Sequence, residues 1–167
     1  MKKLLILTAV IAAGVAANAA SFKWTGANIY GSNGTDKFNG TVDLYAYLAT
    51  ADISAATKVD TASVVAGVIK DGSVTGRVFS DDSLTSGTAY NFYFLIEDGG
   101  KQFTSAAKTA TGMDVGSANI VFGTQATATQ NPSNWTSSGG GEPVPEPTSG
   151  LLMLIGMAGL ALKRKRA

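Results

Sequence analysis

Hydrophobic and polar positions alternate with a period of two along much of the chain, the signature of strands with one buried face. Phe22 and Trp24 open a predicted strand over Ser21–Tyr30. In Gly40–Thr50, Val42, Leu44, Ala46 and Leu48 fall on one face, with Asp43, Tyr45 and Tyr47 on the other. Val74–Phe79, Ala89–Glu97, Lys101–Thr109 and Val115–Gly123 follow at the spacing of an all-β meander. Tyr90, Phe92, Phe94 and Ile96 share one face of Ala89–Glu97, while Tyr93 and Leu95 make its other face apolar too, so this strand is expected to be central. Breaks fall at Gly31-Ser32-Asn33-Gly34, Asp71-Gly72, Asp81–Gly87 and Asp98-Gly99-Gly100. Glu97-Asp98-Gly99-Gly100-Lys101 is the clearest hairpin, because glycine supplies the positive φ a tight turn requires.

Asp52–Ile69 breaks the alternation. Ile53, Ala56, Val59, Ala62, Val65, Ala66 and Ile69 suggest one or two short helical turns between strands, although Val64, Val65 and Val68 suit a strand as well. Residues 20–123 are therefore expected to form an all-β domain, a small jelly-roll-like β-sandwich with a short helical excursion. From Thr124 the composition turns to Thr, Gln, Asn, Ser and Gly, and residues 124–142 read as a flexible stalk. Trp135 within it either packs back on the domain or marks a last strand.

The two ends carry continuous apolar runs instead of alternation. Lys2 and Lys3 precede the 12-residue run Leu4–Val15, and Ala17-Asn18-Ala19 supplies small residues at the positions a signal peptidase reads. This predicts a signal helix within residues 1–19, cut between Ala19 and Ala20 or one residue further on. At the other end Leu151–Leu162 is again 12 residues, which as a helix covers about 18 Å of a hydrocarbon core about 30 Å thick. Lysine and arginine stems reaching to the interface, or local thinning, make up the difference. Lys163, Arg164, Lys165 and Arg166 resist translocation and are expected to stay cytoplasmic. Leu151–Leu162 is accordingly expected to be a transmembrane helix that leaves the body on the exported side.

Just ahead of that run stands Pro145-Glu146-Pro147. Proline fixes φ and disfavours helix in the residue before it, so Glu142–Pro147 is expected to stay extended and approachable. The tripeptide, the apolar segment and the basic end, in that order behind an entry signal, resemble the tail of the PEP-CTERM protein-sorting family over about residues 143–167. The resemblance implies an exported bacterial substrate of an exosortase, recognised at Pro145, Glu146 and Pro147 and processed nearby. The entry signal and the basic end add passage through the Sec translocon and signal peptidase, and an inner-membrane precursor facing the periplasm. The mature form would then reside at the cell surface or in the extracellular matrix. The resemblance implies nothing about the body, since members share the tail and differ in what precedes it.

Charge changes the picture once the ends are set apart. The whole chain has 13 basic and 12 acidic residues, but Lys2, Lys3 and Lys163–Arg166 account for six of the cations. The remainder carries seven basic against twelve acidic residues, a net charge of about −5. A mildly acidic body argues against nucleic acid as a partner. With no cysteine there are no disulfides, so an exported fold must rest on its apolar core. The absence of cysteine and histidine removes thiolate and imidazole catalysis and the usual zinc ligands. The body is expected to be non-enzymatic and without cofactor or metal.

A few residues still invite chemistry. Asp81-Asp82, with Ser80 and Ser83, offers oxygen ligands for calcium but lacks the spaced set of a calcium loop, and reads better as a polar turn. Trp24, Tyr30, Tyr45 and Tyr47 form a candidate aromatic platform for an extracellular polysaccharide, against the plainer reading as strand residues. Asp43, Glu97 and Asp98 supply carboxylates without a recognisable glycosidase pattern. Asn33-Gly34-Thr35, Asn39-Gly40-Thr41 and Asn134-Trp135-Thr136 have the form of glycosylation acceptors but read better as turn sequences.

Overall fold

The computed structural model describes residues 19–138. They are almost entirely β. The strands are β1 (Ala19–Ala27), β2 (Gly40–Leu48), β3 (Thr57–Val65), β4 (Val68–Asp71), β5 (Val74–Thr75), β6 (Arg77–Thr85), β7 (Ala89–Asp98), β8 (Lys101–Thr104), β9 (Lys108–Thr111), β10 (Ala118–Thr124) and β11 (Trp135–Ser137). One short helix, α1 (Ala126–Gln130), follows β10. The expected signal helix before residue 19 and the expected membrane helix at 151–162 lie outside the described residues. Within them, no helix is long and apolar enough to cross a membrane.

The strands form two sheets, one ordered β10-β1-β6 and the other β11-β8-β7-β2-β3-β4-β5 with β9 also on β7. Their inner faces share one core, as the alternation predicts. Phe22 and Trp24 of β1, Val42, Leu44 and Ala46 of β2, and Tyr90, Phe92, Phe94 and Ile96 of β7 are all buried. Phe22 meets Phe92 across the gap at 4.9 Å between ring centroids, and Phe94 meets Phe122 edge-on at 4.8 Å. β7 is central, between β2 and the β8–β9 edge. The order differs from a meander and from a jelly roll's antiparallel Greek keys, because β1 runs parallel to β10. That pairing joins residues 22–27 to 118–124, a contact too distant in sequence for local pattern to reveal.

The tight hairpin is present. Asp98 pairs with Lys101 across Gly99 and Gly100, whose φ angles of 56° and 73° only glycine adopts cheaply. Ser105 explains why Lys101–Thr109 becomes two strands. Its N–H donates to the Phe94 carbonyl and its buried hydroxyl accepts from the Phe94 N–H, so one residue satisfies β7 where β8 stops and β9 has yet to start.

Three expectations need correction. The helical excursion over residues 52–69 shrinks to a single 3-10 turn at Ile53–Ala55, capped by the Asp52 carboxylate accepting from the Ser54 N–H. The rest is the β3–β4 hairpin, because Ala62, Val64 and Ile69 point into the core while Val65 is exposed, a period of two that wins over the helical spacing. The break expected at Asp81–Gly87 begins later, since β6 runs on to Thr85 and buries Phe79 and Leu84 against β1. The stalk does not begin at Thr124. Residues 125–138 fold back over the sandwich: Thr129 is fully buried, its hydroxyl accepting from the Tyr30 N–H and donating to the Gln125 carbonyl. The Trp135 indole N–H donates to the Thr129 carbonyl and its ring packs on Phe103, so Trp135 marks a last strand.

The sandwich has two distinct ends. Ala27, the Asp98–Lys101 hairpin and Ser138 lie at one, where the Ser32 N–H donates to Asp98 and the Ser138 N–H to the Gly100 carbonyl. Ala19, Ala49, Thr88 and Gly112 lie at the other, where Ala49 bonds Ala89 and Gly112 bonds Thr88.

One polar cluster ties the sheets. Asp60 falls on the inward face of β3 in phase with Ala62 and Val64, opposite Leu44 and beside a bulge at Val59. Its carboxylate accepts from the Trp24 indole N–H at 2.8 Å and from Arg77 Nε at 2.9 Å, both on the opposite sheet. The Asp60 side chain is only 7% exposed, Arg77 33%. Removing the carboxylate strands a buried indole N–H and a cation, so Asp60→Ala should lower the unfolding free energy by about 2–3 kcal/mol, less than a fully buried pair because Arg77 stays partly in water. Urea denaturation monitored by tryptophan fluorescence reads this directly, and a loss below about 0.5 kcal/mol, the usual range of a surface change, would show that the tie is not structural.

Candidate functional site

The outer face of the larger sheet gathers the only aromatic cluster that is open to solvent among the described residues. Tyr45 on β2 and Tyr93 on β7 are direct cross-strand partners, so the pleat places them side by side. Their rings are parallel within 5° at 5.3 Å between centroids, a displaced stack. Tyr47 leans on Tyr93 at 6.4 Å and 56°. All three are half-buried. Burial, and then the neighbouring phenols of Tyr45 and Tyr47, push the Tyr93 hydroxyl above its ordinary value of 10.0. Beside the stack, Thr41, Asp43, Leu95 and Glu97 line a shallow polar depression.

This arrangement divides the aromatic platform expected from sequence. Tyr45 and Tyr47 are together on one face, whereas Trp24 is fully buried between the sheets with its N–H on Asp60. Tyr30 sits in a loop with the Lys37 ammonium 3.9 Å over its ring, a cation–π contact. Tyr93, which sequence reading assigned to the second apolar face of a central strand, is the residue that joins the other two. The register of β2 on β7 puts it there, and register is not written in either strand alone.

Asp43 and Glu97 line the same depression, and each carboxylate has a partner of its own. Asp43 accepts from the Thr61 hydroxyl at 2.6 Å and faces Lys58 at 3.5 Å. Glu97 is joined by Gln102 at 3.4 Å, and Asp98 is spent on the Ser32 N–H at the hairpin end. Asp81 folds onto its own strand, accepting from the Ser83 N–H. Among the described residues no three acidic side chains converge as metal ligands. The three sequon asparagines are committed to backbone: Asn33 accepts from the Thr35 and Asp36 N–H groups, Asn39 from the Ala66 N–H, and Asn134 donates to the Ala128 carbonyl.

Of the residues expected to direct sorting, only Ala19 is described, as the first residue of β1. Ala17, Pro145, Glu146, Pro147 and Lys163–Arg166 lie outside the described residues.

The molecule is thus a small all-β domain followed by a tail of separate character. That tail matches the family model described as the PEP-CTERM protein-sorting motif, over residues 143–166. By this match the chain carries the sorting tail of exported, exosortase-sorted proteins, which pass through a membrane-anchored precursor. Neither a curated protein nor a solved structure matches the chain.

The raised hydroxyl makes a testable mark. The unfolded chain loses this proton first as pH climbs past the ordinary phenol range, so the folded state's advantage is whole below pH 10 and shrinks above it. Absorbance titration at 295 nm should show one tyrosine ionising after the rest, and Tyr93→Phe should remove that late step. Loss of a different step would place the shifted group elsewhere.

Proposed function

We propose that this is a non-enzymatic protein of the bacterial envelope or extracellular matrix, delivered by its two ends. The signal segment enters the Sec translocon and is removed by signal peptidase after Ala19 or one residue further on. Leu151–Leu162 then holds the precursor in the inner membrane, with Lys163, Arg164, Lys165 and Arg166 on the cytoplasmic side and the domain in the periplasm. Exosortase reads Pro145-Glu146-Pro147 and the processed domain passes to the surface. The match of residues 143–166 to the sorting motif carries this reading. The placement in the sequence supports it, since Pro145 stands only seven residues after Ser138, the last described residue of the domain. Replacing Pro145, Glu146 and Pro147 together with alanine should leave the full-length form in the membrane fraction. Identical mass and fractionation of wild type and variant would refute processing at this motif.

The tyrosine face favours a second reading, contact with extracellular polysaccharide. Stacked rings bordered by Asp43, Glu97 and Thr41 offer both an apolar surface for sugar faces and acceptors for hydroxyls. The stack spends one face of each ring on the other, so the free faces and the hydroxyls carry the contact. In native gels cast with soluble polysaccharide the protein should be retarded, and Tyr45→Ala with Tyr93→Ala should migrate as in plain gel. Equal mobility of wild type with and without polysaccharide removes this reading and leaves the sorting one intact.

A further inference from the structure

The bond that a signal peptidase would cut lies inside the fold. β1 begins at Ala19, and both Ala19 and Ala20 are paired with β6, opposite Thr85 and Asp81. The Ser21 N–H donates to the Met113 carbonyl at 3.2 Å on the other side. Ala20 is 0% exposed, and its methyl fills the space over Gly112: a Cβ at Gly112 would stand 2.5 Å from the Ala20 Cβ and 2.9 Å from the Thr85 carbonyl oxygen. β1 is the middle strand of its sheet, with β6 on one edge and β10 on the other. Proteases bind the residues around a scissile bond as an extended strand, through the same backbone groups a sheet uses. Here those groups are already taken. Moving the cut one residue on, to Ala20–Ser21, leaves it in the same strand.

We infer that docking of β1 and cleavage at Ala19–Ala20 are mutually exclusive, so that signal removal has to precede closure of the smaller sheet, and a chain that folds first keeps its signal segment. The chemistry is plain hydrolysis, water giving its hydroxyl to the Ala19 carbonyl and a proton to the Ala20 amine. The order of events is set by topology. β1 cannot complete its sheet until β10, Ala118–Thr124, is available about 100 residues later, and contacts so distant in sequence form slowly. That delay is the interval in which the bond is open to the peptidase. The inference rests on the export reading above, yet its own content is the protection of the bond by residues far from it.

Full-length precursor, made without export and purified folded in detergent, is incubated with signal peptidase beside a peptide spanning residues 1–26, which keeps the whole signal. The peptide should be cut and the folded precursor cut at least tenfold more slowly. Gly112→Val, which leaves the cleavage sequence untouched but pushes on Ala20, should restore cutting whether it loosens β1 alone or unfolds the domain. Folded wild type cut as fast as the peptide would overturn the inference while leaving the signal reading in place. A peptide that is not cut within residues 19–21 would instead overturn the signal reading, and this inference with it.

Discussion

Two sheets without a disulfide between them stay together only if their inner faces exclude water, and here aromatic rings do most of that. The chain has no cysteine. Phe22 meets Phe92 and Phe122 meets Phe94 across the gap, and Trp24 meets Phe122 edge-on within the smaller sheet. Each such side chain fully buried contributes roughly 1.5–3 kcal/mol, against backbone ordering that costs about 1–2 kcal/mol per residue. Burial alone does not fix how one sheet is turned on the other. Asp60 does that, reaching from the larger sheet to Trp24 and Arg77 of the smaller one with hydrogen bonds that hold in a single arrangement.

The strands with strict alternation were legible from residues alone: β2 and β7 fall where Val42–Leu48 and Tyr90–Ile96 put them, and the Gly99-Gly100 turn joins β7 to β8. Residues 52–71 were harder because apolar residues there fit periods of both 2 and 3.6 until the core selects one. Sequence shows Val64 and Val65 as equals; only the docked hairpin buries the first and exposes the second. The strap after β10 was hidden by composition. Its Thr and Asn residues look like linker, yet Thr129 and Asn134 act as hydrogen-bond bridges, and one tryptophan supplies the apolar anchor.

The functional residues divide in the same way. The sorting tail is a linear signal, read by order and composition, so Pro145-Glu146-Pro147 and the basic end could be named without any fold, and the family match covers the same residues. The tyrosine face is a tertiary object. Tyr45 and Tyr47 share a strand face and could be paired from sequence, whereas Tyr93 is 46 residues beyond Tyr47 and joins them only through the β2–β7 register.

The chain enters the sandwich at one end and leaves at the other, and that polarity has a consequence for presentation. If the membrane segment begins at Leu151 as proposed, the twelve residues 139–150 could span at most about 40 Å between Ser138 and the lipid. The hairpin at Gly99-Gly100 and the loop around Asn33 then belong to the end from which the tether leaves, like the foot of a post. The loops at 49–56, 86–88 and 112–117 form its crown, where Ile53, Met113 and Val115 stand uncovered toward whatever lies above the surface.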